Sequence, residues 1–315
     1  MTDTSKKANL NDECVAALDR FQNACDRRMA EANAANEPRQ PLFHYTREEA
    51  LFSILDSGIF WFTSIYHMDD PEELSFGFNL ARKLFKDATE RNKGLSRAFC
   101  RELGEDGELE KIKELIAFYS VSFGRRDVGQ QWTNYADQGR GVALGLAPEF
   151  FRPAPFDDPK NPRPDEIIFY SKVSYGDADG RARHTKVVDS GLAFIEQVQR
   201  RKWLRSGEDA MWFCRHLAAS MYTEIIWNCV TTKDAKWSHQ NETRILARNF
   251  LKEPKLPIVN GEIRPRVELA QPRLKQSIVE VMVGPKADDG AVERVRSGLA
   301  SRGLEKVPVA RAKAQ

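Results

Sequence analysis

The period of the hydrophobic positions changes several times along this chain, and each change marks an element. From Asn11 to about Asn33, Val15, Leu18, Phe21, Cys25 and Met29 recur at helical spacing among charged residues. That pattern predicts an amphipathic helix capped by Asn11 or Asp12, packed on the main domain or on a second copy of the chain. A polar stretch over 33–40 with Pro38, followed by Pro41, reads as a linker. Leu42 to Thr46 is short and extended; a helix follows, with Thr46 as cap, Glu48 and Glu49 in its first turn and Gly58 at its end. A strand over Ile59 to Thr63 leads to a capping-box-like start, with Asp70 as cap, Pro71 at the first helical position and Glu73 reaching back.

Further on, 108–117 reads as a helix, and Ala117 to Phe123 alternates apolar residues with hydroxyls, as a strand does. A short helix or lid over 130–135 carries Trp132 and Tyr135, and Gly139 to Leu146 is a buried strand whose glycines permit close backbone approach. Its Gly-x-Gly lacks the third glycine and the strand-to-helix context of a dinucleotide loop. The proline-rich segment 152–164 is a surface excursion, and 166–175 returns as a strand. Two long helices, 185–203 and 208–230, precede strands near 242–246, 263–269 and 277–283; a helix over 288–299 follows, and the tail after Lys306 is expected to fray. Strands separated by grouped helices, without a repeated strand–helix unit, indicate an α+β fold with largely antiparallel pairing. The expected organisation is an N-terminal helix and linker over 1–40, one α+β domain over 41–300 and a flexible tail over 301–315.

Composition narrows the function classes. With 315 residues, 41% hydrophobic, the chain has material for a large core. A formal charge of +2 gives no bulk attraction to nucleic acid or membrane. The five cysteines, at 14, 25, 100, 214 and 229, are scattered and odd in number, against a disulfide framework or a zinc knuckle and in keeping with a reducing cytoplasm. The polar N-terminus has no signal-like apolar core, and no apolar run approaches the ~20 residues of a membrane span.

The densest chemistry lies in 233–248. If 240–246 is extended, Gln240, Glu242 and Arg244 share one side, because residues two apart in a strand do. The plain reading is a surface ion pair worth about 0–1 kcal/mol; the sharper one is a cleft in which the amide orients a nucleophile and the carboxylate steadies a sugar cation. Ser120 and Ser122 share a strand face by the same rule, and buried serines usually satisfy backbone groups. His44 on an apolar strand is more often a satisfied core histidine, and Trp132 more often a core anchor than a ligand platform. His239 and Glu242 have a metal-compatible spacing, but no second histidine-rich element completes a zinc site. Cys229 with His239 has no acylation motif around it. The basic runs 200–202 and 264–266 allow a nucleic-acid partner, although solvated faces are their usual explanation.

Taken in order, Phe43-His44-Tyr45-Thr46, the helix ending at Gly58, Asp70-Pro71-x-Glu73, Ser120-Val121-Ser122, Trp132-x-x-Tyr135, Gly141-Val142-Ala143-Leu144, and Lys236-Trp237 with Glu242-x-Arg244 resemble domain-of-unknown-function family 2971 over about 41–287. The plan is also similar to the ADP-ribosyltransferase superfamily, in which a first strand ends in His or Arg, a middle strand carries hydroxyls or Tyr, and a later strand supplies a catalytic Glu, often with Gln or Glu two residues before it. That resemblance implies a split, largely antiparallel sheet surrounded by helices and an NAD-consuming transferase without a metal. It implies Glu242 and Gln240 as catalytic residues, and His44, Tyr45, Thr46, Ser120, Ser122, Trp132, Tyr135 and Arg244 around NAD. Positive charge developing on the ribose resembles the state that glycosidase carboxylates stabilise. The acceptor implied is a protein or nucleic acid, or water, and abortive-infection relatives suggest a cytoplasmic phage-defence or toxin role. Where Gln240 stands, relatives often carry an acid, which leaves acceptor specificity open. The competing expectation is a non-catalytic binding or regulatory module for a protein or nucleic acid on the same fold.

Overall fold

Helical and extended segments are interleaved along the chain, and they separate by type in space. The computed structural model describes residues 10–67, 71–104, 118–151, 167–248, 254–259 and 261–313, so Asp70, the 108–117 helix and the 152–164 excursion lie outside the described residues. Numbered along the chain, the strands are β1 (Leu42–Thr46), β2 (Ile59–Ser64), β3 (Phe118–Phe123), β4 (Val142–Leu146) and β5 (Ile167–Lys172). They continue as β6 (Ser174–Tyr175), β7 (Thr232–Lys233), β8 (Thr243–Arg248) and β9 (Ile258–Val259). The last four are β10 (Glu262–Ile263), β11 (Arg266–Ala270), β12 (Ile278–Val283) and β13 (Val309–Arg311). Helices and strands are both present in quantity, which gives the α+β class. Two compact units replace the single domain expected over 41–300.

The first unit, Met1–Ala32 with Asp70–Ile116 and Ser174–Ala235, is, among its described residues, largely helical apart from the short parallel pair β6–β7. Its central helix, Gly207–Val230, starts at a capping box: Ser206 Oγ accepts from the Asp209 N–H, and Asp209 accepts from the Ser206 N–H. Phe213, Leu217, Met221, Ile225 and Ile226 are wholly buried along it. Gly191 lets the helix Asp177–Arg201 approach closely, since a Cβ there would lie 2.4 Å from Phe99. The N-terminal helix, Asp12–Ala35, is no detached extension. Phe21 stacks on Phe194 at 4.8 Å, Arg28 pairs with Glu224, and Trp203 donates to Glu13, so its apolar stripe packs within its own unit.

The second unit, Asn33–Asp69 with Ala117–Val173 and Lys236–Gln315, holds among its described residues two large sheets besides the short pair β9–β10. One has the order β1-β4-β12-β13 and the other β11-β2-β3-β8-β5; all pairs are antiparallel except β12–β13. A bridge from Phe43 to Gly124, 2.9 Å in both directions, links β1 to the end of β3. Phe60, Phe62, Val121, Phe123 and Ile245 from the five-stranded sheet meet Leu144, Leu146, Val281 and Val283 from the four-stranded one in a common core. Leu51 and Leu55 of the helix Glu48–Ser57 close that core, and the helix stops at Gly58, whose φ of 67° is the left-handed cap expected there. The tail expected to fray is instead β13: Val309, Ala310 and Arg311 pair with Val281, Met282 and Val283.

Candidate functional site

Strand β8 lies between β3 and β5, with Arg244 opposite Ser122 on one side and Ser171 on the other. Alternation sends Ile245 and Ala247 to the apolar core with Val121 and Phe123, and leaves Arg244 with Ser120 and Ser122 on the reverse face. Glu242, one residue before the strand, joins them. Its Oε1 accepts from Ser122 Oγ at 2.5 Å and from Arg244 Nε at 2.7 Å, while Arg244 Nη2 lies 3.5 Å from Oε2. Both partners of this ion pair are buried, Glu242 at 1% exposure and Arg244 at 3%. Burial alone pulls the Arg244 pKa down to about 9, which measures how fully water is excluded. Ser120, also buried, has a hydroxyl without any hydrogen-bond partner.

Glu242, Arg244, Ser120 and Ser122 therefore come together as alternation implied. Gln240 arrives differently. The segment Ala235–Gln240 is a 3-10 helix, and Asn241 has a φ of 42°, so the two-residue alternation does not extend back to Gln240. Its buried carbonyl accepts from Gln131 Nε2 at 3.1 Å.

His44 is the chief departure. Its ring meets Phe60 edge-on at 5.2 Å and lies 5.5 Å from Phe123, both on the apolar face of the five-stranded sheet. Its Nδ1 is 3.2 Å from the main-chain oxygen of Ser122. A carbonyl only accepts, so Nδ1 carries the proton. Burial pushes the imidazole pKa down to about 4, keeping the ring neutral. The imidazole and the Glu242 carboxylate thus reach Ser122 from opposite faces of β3, and the shared hollow implied for NAD is not formed by these two groups.

Two of the aromatic residues assigned to NAD, Tyr45 and Trp132, hold the turn after β3. Tyr45 donates to the Arg125 carbonyl at 2.6 Å and accepts from the Val128 N–H at 3.0 Å. Burial raises its pKa to about 12. Trp132, 2% exposed, packs edge-on against Tyr45 at 4.9 Å and donates to Asp127 at 2.9 Å, so it is an anchor rather than a stacking platform. Tyr135, on the same helix Gly129–Tyr135, is 39% exposed. Thr46 ends β1 opposite Val142, where Gly141 is required because a Cβ there would lie 2.3 Å from the Thr46 carbonyl oxygen. All five cysteines are free and buried; Cys229 faces His184, Sγ to Nε2 3.9 Å. Among the described residues no group of three or more His, Cys, Asp or Glu is placed to hold a metal ion, and no helix is long and apolar enough to cross a membrane.

Sequence reasoning passed over the turn after β3. Gly124-Arg125-Arg126-Asp127 is pinned by Tyr45 from one side and by Trp132 through Asp127, and Arg126 forms a two-armed ion pair with Glu280 at 2.7 and 3.0 Å. Two adjacent arginines after a strand were the available signal. Residues 131–245 match the model of the family described as Protein of unknown function (DUF2971), so the family read from the motifs is borne out over that stretch, which includes Trp132, Gly141, Glu242 and Arg244. No curated protein and no solved structure matches the chain.

Proposed function

We propose that this chain, a DUF2971 protein over residues 131–245, is a non-catalytic binding or regulatory module. One observation carries the reading: the carboxylate a transferase would need is buried and engaged by Ser122 and Arg244, and the imidazole meant to share its cleft packs on the opposite face of the sheet. A buried ion pair of this kind specifies a structure more readily than it turns over a substrate, since exposing either charge alone is costly.

The partner favoured by the surface is a protein. The hairpin β9–β10 places Ile258 opposite Ile263, and both are exposed, together with Leu256 beside them and Trp61 on the adjoining sheet. Arg266 stacks on the Trp61 ring at 3.5 Å. Lys255 and Arg266 both pair with Glu268, and Arg264 pairs with Glu262, so the cations here are neutralised and the patch offers apolar area with Trp and Arg, the residue types rich in protein interfaces.

A second reading, an NAD-consuming transferase of ADP-ribosyltransferase type acting on a macromolecule or on water, is favoured by the assembly of Ser122, Glu242 and Arg244 beside the unpartnered Ser120 hydroxyl. It requires the carboxylate to become uncovered. Incubating the purified protein with isotopically labelled NAD and cell lysate separates the two. The module reading expects unchanged NAD and no labelled macromolecule, and NAD loss abolished by Glu242→Gln overturns it. Capture of a partner that survives nuclease and is lost in the Ile258→Asp, Ile263→Asp double variant supports the protein interface; capture lost to nuclease overturns it.

A further inference from the structure

A cavity of about 750 Å3 opens where the linker 35–41 passes the ends of β1, β3, β5 and β8, and none of its walls belongs to the Glu242 array. Arg39, Arg125, Arg126 and Lys172 line it against only two acids, Glu37 and Glu280. Glu280 is engaged by both arms of Arg126. Arg125 faces Asn241: with the amide oriented oxygen-first, that oxygen lies 2.6 Å from Nε and 3.2 Å from each terminal nitrogen, which holds the guanidinium in place. Lys172 and Arg39 are exposed and have no acidic partner among the described residues. Thr243 adds a hydroxyl to the same wall.

Two features make this more than a loose basic surface. The arginine turn is held in place, since Tyr45 clamps both the Arg125 carbonyl and the Val128 N–H, and Asp127, at a φ of 54°, is fixed by Trp132. Donors positioned before binding lose little freedom when a ligand arrives. Pro38, Pro41 and Leu42 add apolar lining beside the charged groups, in a cavity within the size range of small-molecule sites.

We propose that this cavity binds a phosphate-bearing small molecule with an apolar or aromatic body, the phosphate held by Lys172, Arg39 and the Arg125–Asn241 pair and the body lying on Pro38, Pro41 and Leu42. Guanidinium and ammonium groups with a hydroxyl donor suit a phosphate, and an excess of two cations over acids suits its charge. The inference rests on the module reading, in which a small anion tunes the binding unit. Inorganic phosphate, AMP and adenosine are titrated calorimetrically into the full-length protein. AMP is expected to bind more tightly than phosphate, with adenosine binding at least tenfold more weakly than AMP. The Lys172→Ala, Arg39→Ala double variant should weaken AMP at least tenfold with an unchanged melting temperature in buffer, because neither side chain supports the fold. AMP affinity equal in the double variant, or no heat from AMP and phosphate, overturns the pocket while leaving the module reading standing. Tight binding of single-stranded RNA with none of AMP overturns the small-molecule assignment. NAD turnover dependent on Glu242 overturns the module reading, and with it the tuning role given to the pocket, whereas AMP binding lost in the double variant would still mark the cavity as a phosphate site.

Discussion

The two faces of β3 and β8 solve the same problem, burial, with opposite materials. On one face Val121, Phe123 and Ile245 pack with Phe60 and Leu144 and need no partner beyond shape; His44, a polar intruder against Phe60 and Phe123, is kept neutral and its proton goes to a backbone carbonyl. On the other, Glu242 and Arg244 are buried with full charges beside the partly buried Ser122 hydroxyl, and each charge must find a counterpart or cost several kcal/mol. The difference shows how one strand can carry a core and a specific polar array at once: alternation separates them, and a missing partner is tolerated on neither side in the same way. An apolar truncation leaves a void, whereas a polar one leaves an uncompensated charge.

The largest expected effect follows from that asymmetry. Arg244→Ala strands the Glu242 carboxylate in a dry site and should lower stability by about 3–5 kcal/mol, the range for breaking a buried ion pair on one side. Replacing both residues by apolar ones of similar volume, Glu242→Met with Arg244→Met, should recover most of the loss. Urea unfolding followed by tryptophan fluorescence checks both. If Arg244→Ala unfolds at the same urea concentration as the parent, the array is solvated, and the account of the polar face falls with it.

Which residues share a face was legible in the sequence; which faces look at one another was not. The two-residue period placed Glu242 with Arg244, and Ser120 with Ser122, before any coordinates. It gave no register between β1 and β3, and the bridge from Phe43 to Gly124 is what brings the His44 ring onto Phe60 and Phe123 rather than onto the Glu242 side. Gln240 failed for a local reason, because the left-handed backbone at Asn241 breaks the alternation before the strand begins. The two units were hidden because each is assembled from three separated segments, so no composition shift along the chain marks a boundary. β13 was invisible because three residues supply no period, and its parallel partner lies 28 positions upstream, Val281 against Val309.

A smaller, pH-dependent effect should mark the apolar face. The folded-state pKa of His44, about 4, lies below the 6.5 of the free side chain, so the unfolded chain takes up a proton that the folded one refuses. The stability this neutral ring contributes is present above pH 6.5 and is lost as pH falls toward 4, at up to about 1.4 kcal/mol per pH unit. His184, whose pKa burial lowers to about 3, adds a loss of the same sign in the other unit. His44→Gln should therefore flatten the decline between pH 6.5 and 4.5 without abolishing it, measured as urea midpoints at each pH. An identical slope in His44→Gln would mean that the ring is hydrated and free to protonate in the folded state.

The finest test sets two serines of one strand and one face against each other. Ser122 donates to the Glu242 carboxylate at 2.5 Å, and a hydrogen bond to a charged group is worth about 1.5–3 kcal/mol, so Ser122→Ala should be destabilising within that range. Ser120 is more deeply buried than Ser122, yet its hydroxyl has no partner, so removing it deletes a desolvated polar group that returns nothing. Ser120→Ala should be neutral or stabilising, by less than about 1 kcal/mol. Equal losses in the two variants would show that Ser120 has a partner in solution, an ordered water or a ligand on the Glu242 face. That outcome would return the transferase reading to the foreground, because an occupied site beside a buried carboxylate is where a substrate would sit.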